Sequence, residues 1–143
     1  MYRKIILLFL AIVLCGEKVV CWSLSAEDID HGEVMGIISD VLTAVDRMDF
    51  ELLAKTMAND FTYSFGDSGS KAKAIDHYRS NPHILKEMKR VIYQGCKYIK
   101  DDNVTYVCPP AFGDPSVIYF DYRAGFRKRT DGKWEFSFFI AGD

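Results

Sequence analysis

Five tyrosines are the polar side chains that this sequence can turn inward: Tyr63, Tyr98, Tyr106 and Tyr122 on alternating apolar segments, and Tyr78 in a helical pattern. A buried phenol keeps its ring in the apolar interior and needs a partner for its hydroxyl, from protein, water or ligand. Phenols alone bind rather than react, so three uses stay open: plain core, a pocket for a small apolar ligand, or a catalytic pocket. Catalysis would add a carboxylate or imidazole, desolvated enough to act as a base. The candidates are His77 beside Tyr78, and Asp121 with Arg123. His77 falls between the apolar positions Ala74, Ile75 and Tyr78, so a solvated ring is expected. His83 follows Pro82 in a first helical turn and is expected to be exposed, and His31 has no partner legible in the chain. Asp121 and Arg123 share a strand face with Tyr119, Glu135 and Phe139, opposite an aromatic stripe. There they form a surface ion pair worth at most ~1 kcal/mol. The mixture of aromatics and charges in Tyr119, Asp121, Arg123 and Phe139 makes them interface candidates.

Two cysteines, Cys96 and Cys108, flank a turn signal. If Asp101-Asp102-Asn103 is a three-residue hairpin loop, Tyr98 faces Tyr106 and Cys96 lies directly opposite Cys108, within disulfide reach. The competing use is a zinc site. It needs two more ligands at ordinary spacing, and His31, His77 and His83 form no such cluster. No metal and no cofactor are expected. Gly66-Asp67-Ser68-Gly69-Ser70-Lys71 lacks the spacing of a phosphate-binding loop. Asn103-Val104-Thr105 is a formal glycosylation sequon, relevant only to a eukaryotic source.

The elements that must position these groups follow from periodicity. Ser25-Ala26-Glu27-Asp28 opens a helix whose apolar face is Val34, Ile37, Ile38, Val41, Leu42, Val45 and Met48. Asp49 caps a short second helix carrying Phe50, Leu52, Leu53 and Met57. Phe61, Tyr63 and Phe65 alternate as a strand. Ser70 begins a third helix through Ala74, Ile75 and Tyr78, and Asn81-Pro82 begins a fourth with Ile84, Leu85 and Met88. Strands follow to the C-terminus. The turn Thr130-Asp131-Gly132 sets Phe126 against Phe136, Ala124 against Phe138 and Tyr122 against Ile140. One face then carries Ile118, Phe120, Tyr122, Ala124, Phe126, Trp134, Phe136, Phe138 and Ile140, and the helices are expected to cover it. Helices on one side of a curved antiparallel sheet make an α+β fold.

The N-terminus bears on address. Tyr2-Arg3-Lys4 precedes an unbroken apolar run from Ile5 to Cys15, about half the ~20 residues needed to span a bilayer. Residues 1–21 therefore read as a signal peptide, cleaved at a site up to residue 25, with 26–143 as one domain and a secreted or periplasmic location. A paired Cys96 and Cys108 agree with an oxidising compartment. The whole chain has 18 basic and 20 acidic residues. Losing Arg3, Lys4 and Lys18 against Glu17 leaves the remainder more acidic, which argues against nucleic acid and anionic membranes as partners.

The order of elements resembles the nuclear transport factor 2-like (NTF2-like, or SnoaL-like) superfamily. The resemblance rests on the Asn59-Asp60-Phe61-Thr62-Tyr63 entry into the first strand, the turn and helix leading to Ile75 and Tyr78, and the closing hairpin from Tyr122 with Trp134. It implies a cone of helices over a strongly bent sheet across residues 26–143. Members include isomerases, dehydratases, epoxide hydrolases, transport adaptors and immunity proteins, so the fold selects no activity. The resulting expectation is an exported, non-catalytic binding module for a small apolar ligand or a protein partner, with a homodimer as one form. The alternatives are an isomerase- or dehydratase-type enzyme with its site inside the cone, and an immunity- or assembly-type protein.

Overall fold

The spacing of Val34, Ile38, Val41 and Val45 is realised as the buried face of α1 (Ala26–Arg47). In this computed structural model the described residues are 26–64, 67–68, 70–99 and 105–141, so the 1–21 run and the Asp101-Asp102-Asn103 loop lie outside them. Met48 leaves the helical face. It adopts a left-handed φ of 52°, is exposed, and ends the helix. The Asp49 side chain then accepts from the Leu52 amide at 2.9 Å and starts α2 (Phe50–Thr56), the cap expected from its residue type. After β1 (Met57–Ser64) and the two-residue β2 (Asp67–Ser68) come α3 (Lys71–Ser80) and α4 (His83–Tyr93). α4 turns Ile84, Leu85, Met88, Val91 and Ile92 inward.

The remaining strands are β3 (Lys97–Ile99), β4 (Thr105–Cys108), β5 (Arg123–Lys128) and β6 (Trp134–Ile140), with a 3-10 turn at Pro110–Gly113. The sheet order is β2-β1-β6-β5-β4-β3. Pairing is antiparallel except between β1 and β6, which run parallel. The helices cover one face of this sheet, and one core cluster joins Val41, Leu53, Phe61, Tyr78, Met88 and Phe136. This is the α+β architecture that the NTF2-like resemblance implies.

The first hairpin has the expected register. Tyr98 pairs with Tyr106, and Cys96 and Cys108 form a disulfide with Cα atoms 4.2 Å apart. The second hairpin keeps its expected register only as far as Phe126 opposite Phe136. There a bulge intervenes, and Gly125 pairs with Phe138, Ala124 with Phe139 and Arg123 with Ile140. Ser137 is the extra residue, and its Oγ donates to the Gly125 carbonyl at 2.8 Å. Every assignment on β6 beyond the bulge therefore changes face, while Ala124 on β5 stays in the core as expected. Phe139, expected outside, is in the core at 1% exposure, and Phe138 lies on the other face.

Nor do residues 117–122 form the expected start of β5. Ile118 and Phe120 are 79% and 64% exposed, where burial beneath the helices was expected. The reason is a lack of pairing partners. β4 ends at Cys108 and gives way to Pro109-Pro110, and β6 ends at Ile140 opposite Arg123.

Two stability experiments follow. Gly125 is required by its neighbour: a Cβ there would lie 2.0 Å from the Phe138 ring. Gly125→Ala should cost about 1–3 kcal/mol in urea unfolding. The cost should shrink in the Phe138→Ala background, and additivity in that double-mutant cycle would refute the coupling. Separately, Cys96→Ser with Cys108→Ser should cost about 3 kcal/mol in the chain-entropy treatment of a loop this size. An unchanged denaturation midpoint would count against the bond.

Candidate functional site

The sequence places the five tyrosines on inward positions but not at which end of the sheet each sits. The structure divides them. Tyr98 and Tyr106 lie together on β3 and β4, ring centroids 6.4 Å apart. The Tyr106 hydroxyl is 3.2 Å from Nδ1 of His31, a partner on α1 that the sequence did not show. Burial raises the Tyr106 phenol above its ordinary pKa. With its hydroxyl partnered and its ring in the core, Tyr106 is accounted for as structure.

Tyr63, Tyr78 and Tyr122 gather around a different feature, where the α3–α4 junction meets the end of β6. A cavity of about 220 Å³ opens there. His77 and Tyr78 come to it from the last turns of α3, Asn81, His83 and Ile84 from the junction, and Tyr122, Phe139 and Ala141 from the sheet. Tyr63 reaches it through His77, with ring centroids 5.4 Å apart. Tyr122 stacks on Phe139, centroids 5.3 Å apart and planes within 6°. The bulge in β6 makes that wall, since without the extra residue Phe139 would face away.

Tyr78 is the unusual member. It is 1% exposed, and its hydroxyl has no hydrogen-bond partner among the described residues. Desolvation, with a smaller contribution from Tyr63, pushes its pKa far above the ordinary phenol value. It therefore stays a neutral O–H at any physiological pH. An unmade hydrogen bond at a buried hydroxyl costs about 1–3 kcal/mol, so a group kept in that state needs a reason. His77 is half-buried beside it, ring centroids 6.0 Å apart, and His83 is exposed at the rim. His77 was expected in solvent and is half-buried in the cavity wall, whereas His83 is exposed as expected, at the rim. The signal that could have found them is the Asn81-Pro82 break, which stops one helix and starts another within reach of the same spot.

The interface candidates are scattered. Arg123 lays its guanidinium 4.9 Å from the centre of the Phe112 ring and donates to the Tyr119 carbonyl at 3.2 Å. Asp121 is exposed and pairs with Arg90 of α4 at 2.8 Å. Its carboxyl is held below the usual range by the Tyr122 amide, helped by Arg90. Asp121 and Arg123 thus bind different partners instead of each other. Phe139 belongs to the cavity wall.

A wider groove of about 520 Å³ lies over the β5–β6 hairpin, with Asp60, Arg127 and Glu135 in its lining. Its central guanidinium is already engaged. Arg127 donates to Glu135 at 2.7 Å and to Asp60 through both terminal nitrogens. Asp60 is held below the usual carboxylate range by that hydrogen bond. Among the described residues no group of His, Cys, Asp or Glu is arranged to hold a metal, and no helix is long and apolar enough to cross a membrane.

No family model matches the sequence, and no curated protein does. Solved structures do. An NTF2-like protein of unknown function from Shewanella oneidensis is 11% identical, with 79% of this chain and 98% of that one covered at a TM-score of 0.48. Another of unknown function, from Pseudomonas putida, is 14% identical over 84% and 89% of the two chains, TM-score 0.46. A ketosteroid isomerase-like protein from Erwinia carotovora is 15% identical over 76% and 92%, TM-score 0.40. At such identities and TM-scores these likenesses assign this chain neither a family nor an activity.

The Tyr78 hydroxyl generates a test without any ligand. A phenol whose pKa is raised on folding adds stability that is whole below the unfolded value, about 10, and is lost as pH rises above it. Tyr78→Phe removes that alkaline loss and the unmade hydrogen bond together. The variant should unfold at higher pH and be more stable at pH 7 by up to about 1–3 kcal/mol. A Phe variant less stable than the parent would show that the hydroxyl has a partner.

Proposed function

We propose that the chain is an exported binding module whose cavity between the α3–α4 junction and β6 takes a small, mainly apolar molecule bearing one hydrogen-bonding group. The observation that carries this reading is that Tyr78, a lining residue of that cavity, has a buried hydroxyl with no partner among the described residues. The geometry sets the ligand's size. A cavity of about 220 Å³ is below the ~300–1,000 Å³ of sites for drug-sized ligands and above the ~150 Å³ that holds benzene. One substituted ring fits, with Tyr122, Phe139 and Ile84 supplying apolar contact and Tyr78 the polar one. The Cys96–Cys108 disulfide supports export, because such a bond persists in oxidising compartments.

The described lining contains no Asp or Glu. An isomerase-type activity in this cavity would therefore have to use His77 or His83 as its base, and binding without turnover is the simpler use of the same groups.

Acetophenone, a single ring with one acceptor oxygen, is a suitable probe by NMR titration. It should saturate at millimolar concentration and shift the signals of Tyr122 and Ile84. Tyr78→Phe should weaken it about tenfold, the equivalent of one hydrogen bond. No saturable shift in the parent, or the same affinity in the variant, would sink the reading.

A further inference from the structure

The polar end of the cavity is built from the start of a helix. α4 has 11 residues, long enough for a full terminal dipole, and its first residues His83 and Ile84 are lining residues. At such a terminus the first amides have no acceptor within the helix. Those of Ile84 and Leu85 turn back to the carbonyls of Asn81 and Pro82, at 3.0 and 3.2 Å. The His83 amide is the one that this turn leaves unused among the described residues. α3 ends at the same junction, and its last carbonyls would bring the opposite charge. Two of them are engaged: Asn81 Nδ2 donates to the His77 carbonyl at 3.0 Å and the Asn81 amide to that of Tyr78 at 3.2 Å. The negative helix end is thus capped in part, while the first residues of the positive one, His83 and Ile84, line the cavity.

A helix start alone binds nothing in particular. Here the same cavity is lined by an independent feature, Tyr78, 1% exposed and with a hydroxyl that has no partner among the described residues. Two imidazoles, His77 and His83, share the wall, and no described lining residue carries negative charge. We infer that the hydrogen-bonding group of the ligand is a carboxylate, so that the cavity takes a compact aromatic or cyclic acid, its ring against Tyr122 and Phe139 and its oxygens between Tyr78 and the start of α4. The chemistry is charge-assisted hydrogen bonding, which an oxyanion receives from a neutral O–H and a helix amide more strongly than a neutral acceptor does.

This inference rests on the pocket reading above, and the test separates the two. Benzoate and nitrobenzene have nearly the same shape and differ in charge, so their affinities for the folded chain, at one pH and low salt, isolate the anion term. Benzoate should bind about tenfold more tightly. That preference should collapse in Tyr78→Phe and weaken in His83→Ala, a substitution at an exposed rim position that keeps the second comparison available should the first variant misfold. Equal affinities for the two probes would overturn the carboxylate and leave the pocket standing. A benzoate preference that survives both substitutions would place the anion elsewhere and overturn it as well. Failure of both probes to bind at millimolar concentration would remove the inference together with the reading beneath it.

Discussion

The Phe138 ring lies across the backbone of Gly125, closer than any side chain at position 125 would permit. Much of the site depends on that contact. It fixes the place where β6 takes an extra residue, with Ser137 tied to the Gly125 carbonyl at 2.8 Å. Past the bulge the strand's faces exchange, so Phe139 turns into the core and stacks on Tyr122. A bulge re-aims one side chain at small cost to the ladder, and a glycine under an aromatic ring is how a sheet accommodates it. Without it, the cavity would lose its aromatic wall.

The parts of the fold that repeat were legible in the sequence. The face of α1, the Asp49 cap and the α4 stripe each follow from one periodicity or one capping rule. The Tyr98–Tyr106 register with its disulfide follows from one loop length. Counting across a turn holds while both strands advance at the same rate. That condition is met between Cys96 and Cys108 and fails at Ser137. Gly125 was the available sign, since an isolated glycine in a strand often marks a bulge or a close approach. Val117 to Tyr122 failed for another reason. Its alternation and β-branched or aromatic residues are strongly strand-like, but pairing is a property of two segments, and the Cys108-Pro109-Pro110 sequence had already ended the neighbour.

The candidate site was legible in its residue types and not in its location. Parity assigns a face to a strand residue and says nothing of which end of the sheet it occupies. Tyr106 thus met His31 while the Tyr78 hydroxyl found no partner among the described residues, though both are inward phenols. His77 was misplaced because helical spacing was measured against its helix's own apolar stripe. His77 is off the stripe of α3, yet beside the Asn81-Pro82 corner the flank of α3 is covered by the start of α4 and the end of β6. Junctions of this kind have no period, so they escape pattern reading.

The energetics of Tyr78 favour function over packing. A phenylalanine would fill the same space, keep the same core contacts and avoid an unmade hydrogen bond worth about 1–3 kcal/mol. In a fold whose whole stability is about 5–15 kcal/mol, that is a large sum to leave uncollected. Contrast Arg127, whose nitrogens are engaged by Asp60 and Glu135 on an open face. There the polar groups complete one another and leave little for a ligand to gain. At Tyr78 the missing partner is the gain. A molecule that brings an acceptor to Tyr78 recovers a cost already incurred in folding, so a group left unsatisfied in the free protein is well placed to supply affinity.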